Sequence, residues 1–178
     1  MKLWKKLLLR SLGFVVALVL AGWLLPAHRR VECHILTRGR AEDLFKLAGS
    51  LRRWPEWTAW TTSRFPDLTM RFDGPDAGIG ATMTAAGKSS GDGTVKIIAA
   101  DAASGIGYTL DFNHGAQMFD GAIRCTNTPD GLRVTWTLDA ELGANPFKRW
   151  AGLAMGPLMR GDMEQGLTNL KRKLESNP

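Results

Sequence analysis

The chain changes its hydrophobic pattern twice along its length. Residues 7–25 are almost uniformly apolar, interrupted by Arg10 and Ser11. Residues 31–142 contain short apolar runs separated by turn-forming residues, and after Asn145-Pro146 the apolar positions recur with helical spacing. This order predicts an apolar N-terminal helix, a region rich in β-strands and one long C-terminal helix.

The middle of the chain predicts two short helical segments among the strands. Residues 31–38 are expected to form the first strand and residues 41–50 a helix, with a second short helix or turn at 51–54 that Pro55 ends. Further strands are predicted at residues 68–72, 81–86, 94–99, 106–112, 118–126 and 132–142.

The last predicted strand shows the clearest alternation. Val134, Trp136 and Leu138 share one face, whereas Arg133 lies on the other, as in an antiparallel sheet with one buried face. That face has to be covered, and the helix from about Asn145 to Glu175 is the only long amphipathic element left. We therefore expect the helix to cross the concave face, with a possible ligand cavity between them. Its apolar stripe consists of Phe147, Trp150, Ala154, Leu158, Met159, Met163, Leu167, Leu170 and Leu174.

Residues 1–30 are interpreted as a membrane anchor with its flanks, followed by one domain over residues 31–178. The apolar segment 7–25 approaches the ~20 residues that a helix needs to cross a bilayer. A cleaved signal peptide and a buried core helix are the alternatives, but the small residues of a cleavage site are poorly placed. More basic residues precede the segment than follow it, which favours a single-pass protein with an exported C-terminal domain.

The charge distribution argues against nucleic-acid binding. The chain has 23 basic and 17 acidic residues, a net charge of +6. Residues 1–30 hold six of the basic residues and no acid, so the rest of the chain is electrically balanced. It therefore lacks the basic stripe that phosphate binding needs.

The chain has no recognisable motif for a metal, a cofactor or a nucleotide, and no catalytic residue is assigned. Cys33 and Cys125 lie in separate predicted strands, without the spacing of a metal or redox site. Asp111 and His114 could form an acid–base pair, although an exposed hairpin tip is the simpler interpretation. Arg124 would be the one inward charge able to meet a ligand carboxylate, but an outer, solvated position suits it better.

The order of elements, together with LRRWPEW at 51–57, resembles the START-like helix-grip superfamily. The resemblance is strongest to SRPBCC proteins of the polyketide cyclase/dehydrase and lipid-transport group, in bacterial forms with an N-terminal membrane anchor. GDG at 91–93, GLRVTW at 131–136 and GLTNLK at 166–171 support it, whereas Gly39-Arg40-Ala41 replaces the usual Ala-Pro pair.

This resemblance implies an α+β fold, in which a curved antiparallel sheet of six to seven strands surrounds the long C-terminal helix. It also implies a location in the bacterial inner membrane. In this arrangement the final strand lies between those of Cys33 and Cys125, which would separate their Cα atoms by ~10 Å. A disulfide cannot span that distance, so two free, buried thiols are expected.

The function implied is binding of a hydrophobic small molecule or lipid, without a cofactor. Trp57 and Trp60 either plug the end of the sheet or wall a cavity mouth. Two alternatives stay open: a cyclase- or hydrolase-like enzyme using Tyr108, His114 or Asp111, and an interaction module without a ligand. The residues predicted to line the cavity are Trp57, Trp60, Phe72, Met83, Tyr108, Phe112, Trp136, Met155 and Met159.

Overall fold

A computed structural model describes residues 2–176, which form three α-helices, a short 3₁₀ helix and one seven-stranded sheet. Neighbouring strands are antiparallel, in the order β1-β7-β6-β5-β4-β3-β2. This is the predicted α+β helix-grip fold. Along the chain the elements are α1 (Lys2–Leu24), β1 (His28–Thr37), α2 (Ala41–Ala48), the 3₁₀ helix (Leu51–Glu56), β2 (Thr69–Asp73), β3 (Thr82–Ala86), β4 (Gly93–Asp101), β5 (Gly105–Phe112), β6 (Gln117–Thr128), β7 (Gly131–Glu141) and α3 (Pro146–Ser176).

The first strand begins earlier than the sequence predicts. β1 starts at His28 rather than at residue 31, and it pairs with β7 from His28–Glu141 to Thr37–Leu132. Strand pairing satisfies the hydrogen bonds of backbone N–H and C=O groups whatever the side chains are. A stretch of basic residues can therefore form part of a β-ladder. Arg29 and Arg30, interpreted from the sequence as part of the anchor's flank, are therefore residues of the sheet.

The predicted register of β7 is confirmed. Val134, Trp136 and Leu138 are buried, whereas Arg133 is exposed. The alternation thus identifies the concave face of the sheet.

The strand order also confirms the predicted separation of the cysteines. Cys33 pairs with Trp136 and Cys125 with Val134, so β7 lies between them. Both thiols are buried and unbonded to each other. Burial raises the pKa of both thiols, which disfavours the reactive thiolate.

Asn145 begins the C-terminal helix as predicted. Its side-chain oxygen accepts the backbone N–H groups of Phe147 and Lys148 at 2.9 and 3.4 Å, which caps α3 ahead of Pro146. Farther along, α3 buries a set of apolar side chains against the concave face: Met163, Leu167, Leu170 and Leu174.

The continuous apolar stripe predicted for this helix is wrong in its first half. Phe147 is 66% exposed and Leu158 is 70% exposed. Here Pro157 interrupts the helical hydrogen bonding, and the helix packs on the end of α1 and borders a cavity. Apolar periodicity shows which side of a helix avoids water, but not which surface covers it.

Helix α1 carries its apolar side chains on the outside. The segment Lys6–Leu24 is long and apolar enough to cross a membrane, and a signal sequence would meet the same criterion. Only 6% of the apolar window is buried, so the alternative of a core helix is wrong.

Candidate ligand-binding site

Four aromatic side chains fill the centre of the space between the sheet and α3. Trp54 and Trp57 come from the 3₁₀ helix and the residue after it, Tyr108 from β5 and Trp136 from β7. The ring centroids are 5.6 Å apart for Trp54–Trp57, 5.1 Å for Trp54–Tyr108 and 5.4 Å for Trp57–Trp136, all edge-on. Such pairs stabilise a core by ~0.5–1.5 kcal/mol each beyond simple burial. We call these four residues the aromatic cluster.

The aromatic cluster is locked by hydrogen bonds and by one glycine. Trp136 Nε1 donates to the Tyr108 hydroxyl at 2.7 Å, and Trp54 Nε1 donates to the Ala48 carbonyl at 2.8 Å. A Cβ atom at Gly121 would collide with the Tyr108 ring, so glycine lets this ring lie across β6 towards Trp136. Burial raises the pKa of Tyr108, opposed by the hydrogen bond from Trp136, so the hydroxyl stays protonated.

Little space remains around the aromatic cluster. One gap of about 30 Å³ is bordered by Trp60, Tyr108, Trp136 and Met159, among others. A second gap of about 20 Å³ is bordered by residues including Trp60, Met83 and Phe112. Each gap holds roughly one or two water molecules, which is too little for an organic ligand.

A larger cavity of about 160 Å³ lies between the first half of α3 and the sheet, and we call it the α3 cavity. Strands β1 and β7 and the hairpin between β5 and β6 complete its walls. The apolar part of the lining includes Val31, Phe119, Leu138, Ala140, Leu142, Met155 and Met159. An apolar cavity of ~150 Å³ can hold a molecule the size of benzene, so this space suits a small apolar group.

Small and flexible residues of α3 keep this space open. Gly152 is in close contact with Leu142, and a Cβ atom there would collide with the leucine side chain. Gly156 lines the cavity, and a Cβ atom there would meet nothing within 4 Å. Met155 and Met159 provide unbranched side chains that adapt to irregular shapes.

Three charged residues border the α3 cavity: Arg29, Glu141 and Lys148. The Lys148 ammonium donates to the carbonyl of Ala116 at 3.2 Å. Glu141 Oε2 lies 3.5 Å from Nδ1 of His28. The cavity thus combines apolar walls with a polar border that contains two cationic side chains.

The structure places the residues predicted to line the cavity in several different surroundings. Met155 and Met159 border the α3 cavity, and Met159 also reaches the gap beside the aromatic cluster. Trp60, Met83, Tyr108, Phe112 and Trp136 border the two small gaps. Trp57 is fully buried in the aromatic cluster, and half-buried Phe72 lies on β2 with the Arg52 guanidinium 5.1 Å from its ring.

Sequence reasoning missed Arg29 as a cavity residue, because it was assigned to the membrane flank. Counting back in twos from Cys33 and Val31 would have placed Arg29 on the same inward face. Arg124, the inward charge considered from the sequence, is exposed.

The candidate catalytic side chains do not converge. Tyr108 belongs to the buried aromatic cluster, whereas His114 is on an exposed hairpin turn, with Nε2 3.3 Å from Asp92. Asp111 accepts the backbone N–H of Gly115 within the same turn. His114 thus lies on an exposed hairpin turn, as the simpler interpretation expected, whereas Asp111 is a half-buried residue near the end of β5.

Comparison with known proteins agrees with this architecture. A sequence profile described as polyketide cyclase / dehydrase and lipid transport matches residues 28–175. The chain belongs to this family. The match begins with the first residue of β1 and ends one residue before the end of α3. A search of curated protein sequences finds no significant match.

Solved structures share the fold of this polyketide cyclase/dehydrase family member at low sequence identity. The di-domain ARO/CYC StfQ from the steffimycin biosynthetic pathway has a TM-score of 0.62 and 13% identity, over 84% of this chain and 51% of that one. Ara h 8.0201 has a TM-score of 0.57 and 15% identity, over 84% and 99%. Aha1 from Colwellia psychrerythraea has a TM-score of 0.57 and 14% identity, over 83% and 96%.

Proposed function

We propose that the protein binds a hydrophobic small molecule or lipid in the α3 cavity, and that α1 anchors it to a membrane. The observation that carries this proposal is the α3 cavity itself, a largely apolar space of about 160 Å³. Elsewhere between the sheet and α3, the aromatic cluster leaves only small gaps. Burial of apolar ligand area would supply the affinity, at ~25 cal/mol per Å² before the costs of association. Among the predicted residues, Met155 and Met159 are the proposed ligand contacts.

The size of the α3 cavity limits what it would enclose. Sites for drug-sized ligands usually occupy ~300–1,000 Å³, so about 160 Å³ suits a small ligand or one segment of a longer chain. A longer chain would extend out of the cavity past Gly156, where α3 leaves space.

The junction between α1 and α3 supports a role at the membrane surface. The Arg149 guanidinium donates to the carbonyls of Trp23 and Leu25 at 2.7 and 2.9 Å, at the end of α1. Trp150 Nε1 donates to the carbonyl of Leu18 at 3.0 Å, within the apolar segment. These bonds attach the domain directly to the proposed anchor.

This attachment would keep the ligand site close to the bilayer. Lys148 and Gly152 line the α3 cavity and the residues between them bond to α1, so the cavity lies within about one helix diameter, ~10–12 Å, of α1. We propose a single-pass protein of the bacterial inner membrane with the domain on the exported side. In intact spheroplasts, protease should then remove the domain and leave α1 protected, whereas a protected domain would place it in the cytoplasm.

Filling the cavity tests the proposed function. Gly156→Leu should place a side chain in the α3 cavity, and Gly161→Leu is the matched control, since Gly161 has equally open surroundings on α3 without lining the cavity. The full chain would be placed in nanodiscs of long-chain phosphatidylcholine and titrated with octanol by calorimetry, with empty nanodiscs subtracted.

We expect the wild type and Gly161→Leu to bind octanol, and Gly156→Leu to lose most of this binding. Equal binding by the two variants would show that octanol binds elsewhere, and no binding by the wild type would overturn the proposal. Hydrolysis of an apolar ester added to the wild type in the same nanodiscs would favour the hydrolase alternative.

A further inference from the structure

The side chain of Arg29, the second residue of β1, faces the α3 cavity. It pairs with Ala140 across the β1–β7 ladder, and both residues line the cavity. The Arg29 Nε atom is sealed from solvent and has no hydrogen-bond partner within residues 2–176. A buried donor without a partner is unfavourable, and more so when the group is charged.

The neighbouring basic residues, in contrast, have acidic partners on the other face of the ladder. His28 Nε2 lies 3.1 Å from Asp139, and Arg30 Nε lies 3.7 Å from Glu32 and 3.8 Å from Asp139. In the described part of the chain, none of the ion pairs involves Arg29. The local acids therefore neutralise the outward side chains and leave the inward guanidinium available.

The surroundings of Arg29 favour an anion. Lys148 borders the same cavity from the first turn of α3, so a second cation faces the space. Among residues 2–176, the only acid on the border is Glu141, which is exposed and lies beside His28. A guanidinium can donate two parallel hydrogen bonds to a carboxylate or phosphate, which is the geometry that these groups bind best.

We infer that the ligand of the α3 cavity is an anionic amphiphile whose carboxylate or phosphate head binds Arg29. Its apolar body lies against Val31, Leu138 and Met159, and the benzene-like volume of the cavity corresponds to about six carbons of that body. A free inorganic anion would leave these apolar walls without a partner. The inference rests on the proposed function, to which it adds the class of ligand.

A comparison of head groups on one alkyl chain tests the inference. Octanoate, octyl phosphate and octanol would be titrated into the full chain in phosphatidylcholine nanodiscs, again with empty nanodiscs subtracted. Arg29→Gln removes the charge but keeps hydrogen-bonding groups. Arg30→Gln is the matched control, because Arg30 is the adjacent residue on the opposite, exposed face.

At least one anionic probe should bind about ten- to a hundredfold more tightly than octanol, the range expected for a charge-assisted hydrogen bond. Whichever of octanoate and octyl phosphate binds more tightly identifies the preferred head group. Arg29→Gln should bind that probe no more tightly than it binds octanol itself, whereas Arg30→Gln should retain the preference.

Equal affinity of the wild type for octanol and for both anions would overturn the inference and leave the proposed function intact. Loss of the preference in Arg30→Gln to the same extent as in Arg29→Gln would also overturn it, because a general surface charge effect would then explain it. If none of the three probes binds, the proposed function itself fails. The comparison of the three probes uses the wild type, so it does not depend on the folding of any variant.

Discussion

The two halves of α3 belong to one continuous helix, yet they have different surroundings. In the second half, Leu167 and Leu170 are buried against the sheet. In the first half, Leu158 is 70% exposed, and Met155 and Met159 border the α3 cavity. One half of the helix therefore completes the core, and the other forms a wall of the candidate site.

The difference follows from what lies beneath each half. Gly166 brings the second half close to Trp136, since a Cβ atom there would lie 2.9 Å from the ring atom Cζ3. The first half approaches the sheet through Gly152 and leaves space beside Gly156. Dense packing provides stability, and incomplete packing leaves room for a ligand, so stability and binding should respond to changes in different halves.

Loss of the aromatic cluster should have the largest effect on stability. Trp136→Ala removes a buried ring that contacts Trp57 and Gly166 and binds the Tyr108 hydroxyl. We expect the free energy of unfolding to fall by ~3–5 kcal/mol. Thermal and denaturant unfolding of the full chain in nanodiscs would measure it. Arg133→Ala, on the exposed face of the same strand, should change it by less than ~0.5 kcal/mol, and similar losses for both would disprove the register of β7.

The same substitution in each half of α3 tests the comparison directly. Leu170→Ala removes a fully buried side chain and should lower the free energy of unfolding by ~2–5 kcal/mol. Leu158→Ala removes an exposed one and should change it by less than ~0.5 kcal/mol. Leucine and alanine have similar helix propensities, so the contrast reports packing. Comparable losses in the two unfolding curves would mean that the first half is core after all.

A methyl group at Gly121 should reveal how tightly the filled centre is packed. Gly121→Ala places a Cβ atom against the Tyr108 ring, which would have to shift away from Trp136. Overpacking of this kind typically destabilises by ~1–3 kcal/mol. The near-ultraviolet circular dichroism of the aromatic cluster should change as well. Gly161→Ala, in an open position on α3, serves as the control, and an unchanged stability of Gly121→Ala would show that the centre is loosely packed.

The smallest effect is expected from an ion pair that attaches the second half of α3 to the 3₁₀ helix. Glu56 accepts hydrogen bonds from Arg53 and Lys173, each at 3.0 Å. These bonds lower the pKa of Glu56 from 4.5 to about 2, and the bond from Arg53 has the largest effect. Because the pKa of Glu56 is lower in the folded state, its ionised carboxylate stabilises the fold at pH values above 4.5. This contribution is lost as the pH falls from 4.5 to about 2.

Because these side chains are partly exposed, the contribution should not exceed ~1 kcal/mol. Glu56→Gln should therefore be slightly less stable than the wild type at neutral pH and equal to it near pH 2, as measured by denaturant unfolding across that range. A difference that persists at the acidic end would assign the effect of Glu56 to packing instead of charge.

Several features were predictable because they depend on local pattern. The alternation in β7 identified Trp136 as inward, and Asn145 before Pro146 marked the start of α3. The family resemblance supplied the strand order and hence the separation of Cys33 from Cys125. The candidate site was less predictable: Met155 and Met159 line the α3 cavity, whereas Trp57 lies in the core and Arg29 was assigned to the flank of the anchor.

The sequence by itself therefore determined the elements, their order and the inward face of the sheet, because a side chain's direction follows from periods of two and 3.6 residues. Tertiary structure alone decided where space remains. Trp54, Tyr108 and Trp136 come from distant segments, and their combined volume closes the centre of the fold while the first half of α3 stays open. Likewise, only the tertiary structure shows that β1 extends to His28 and pairs with the polar end of β7, which makes Arg29 part of the sheet. Strand pairing follows backbone hydrogen bonds that side-chain polarity does not encode.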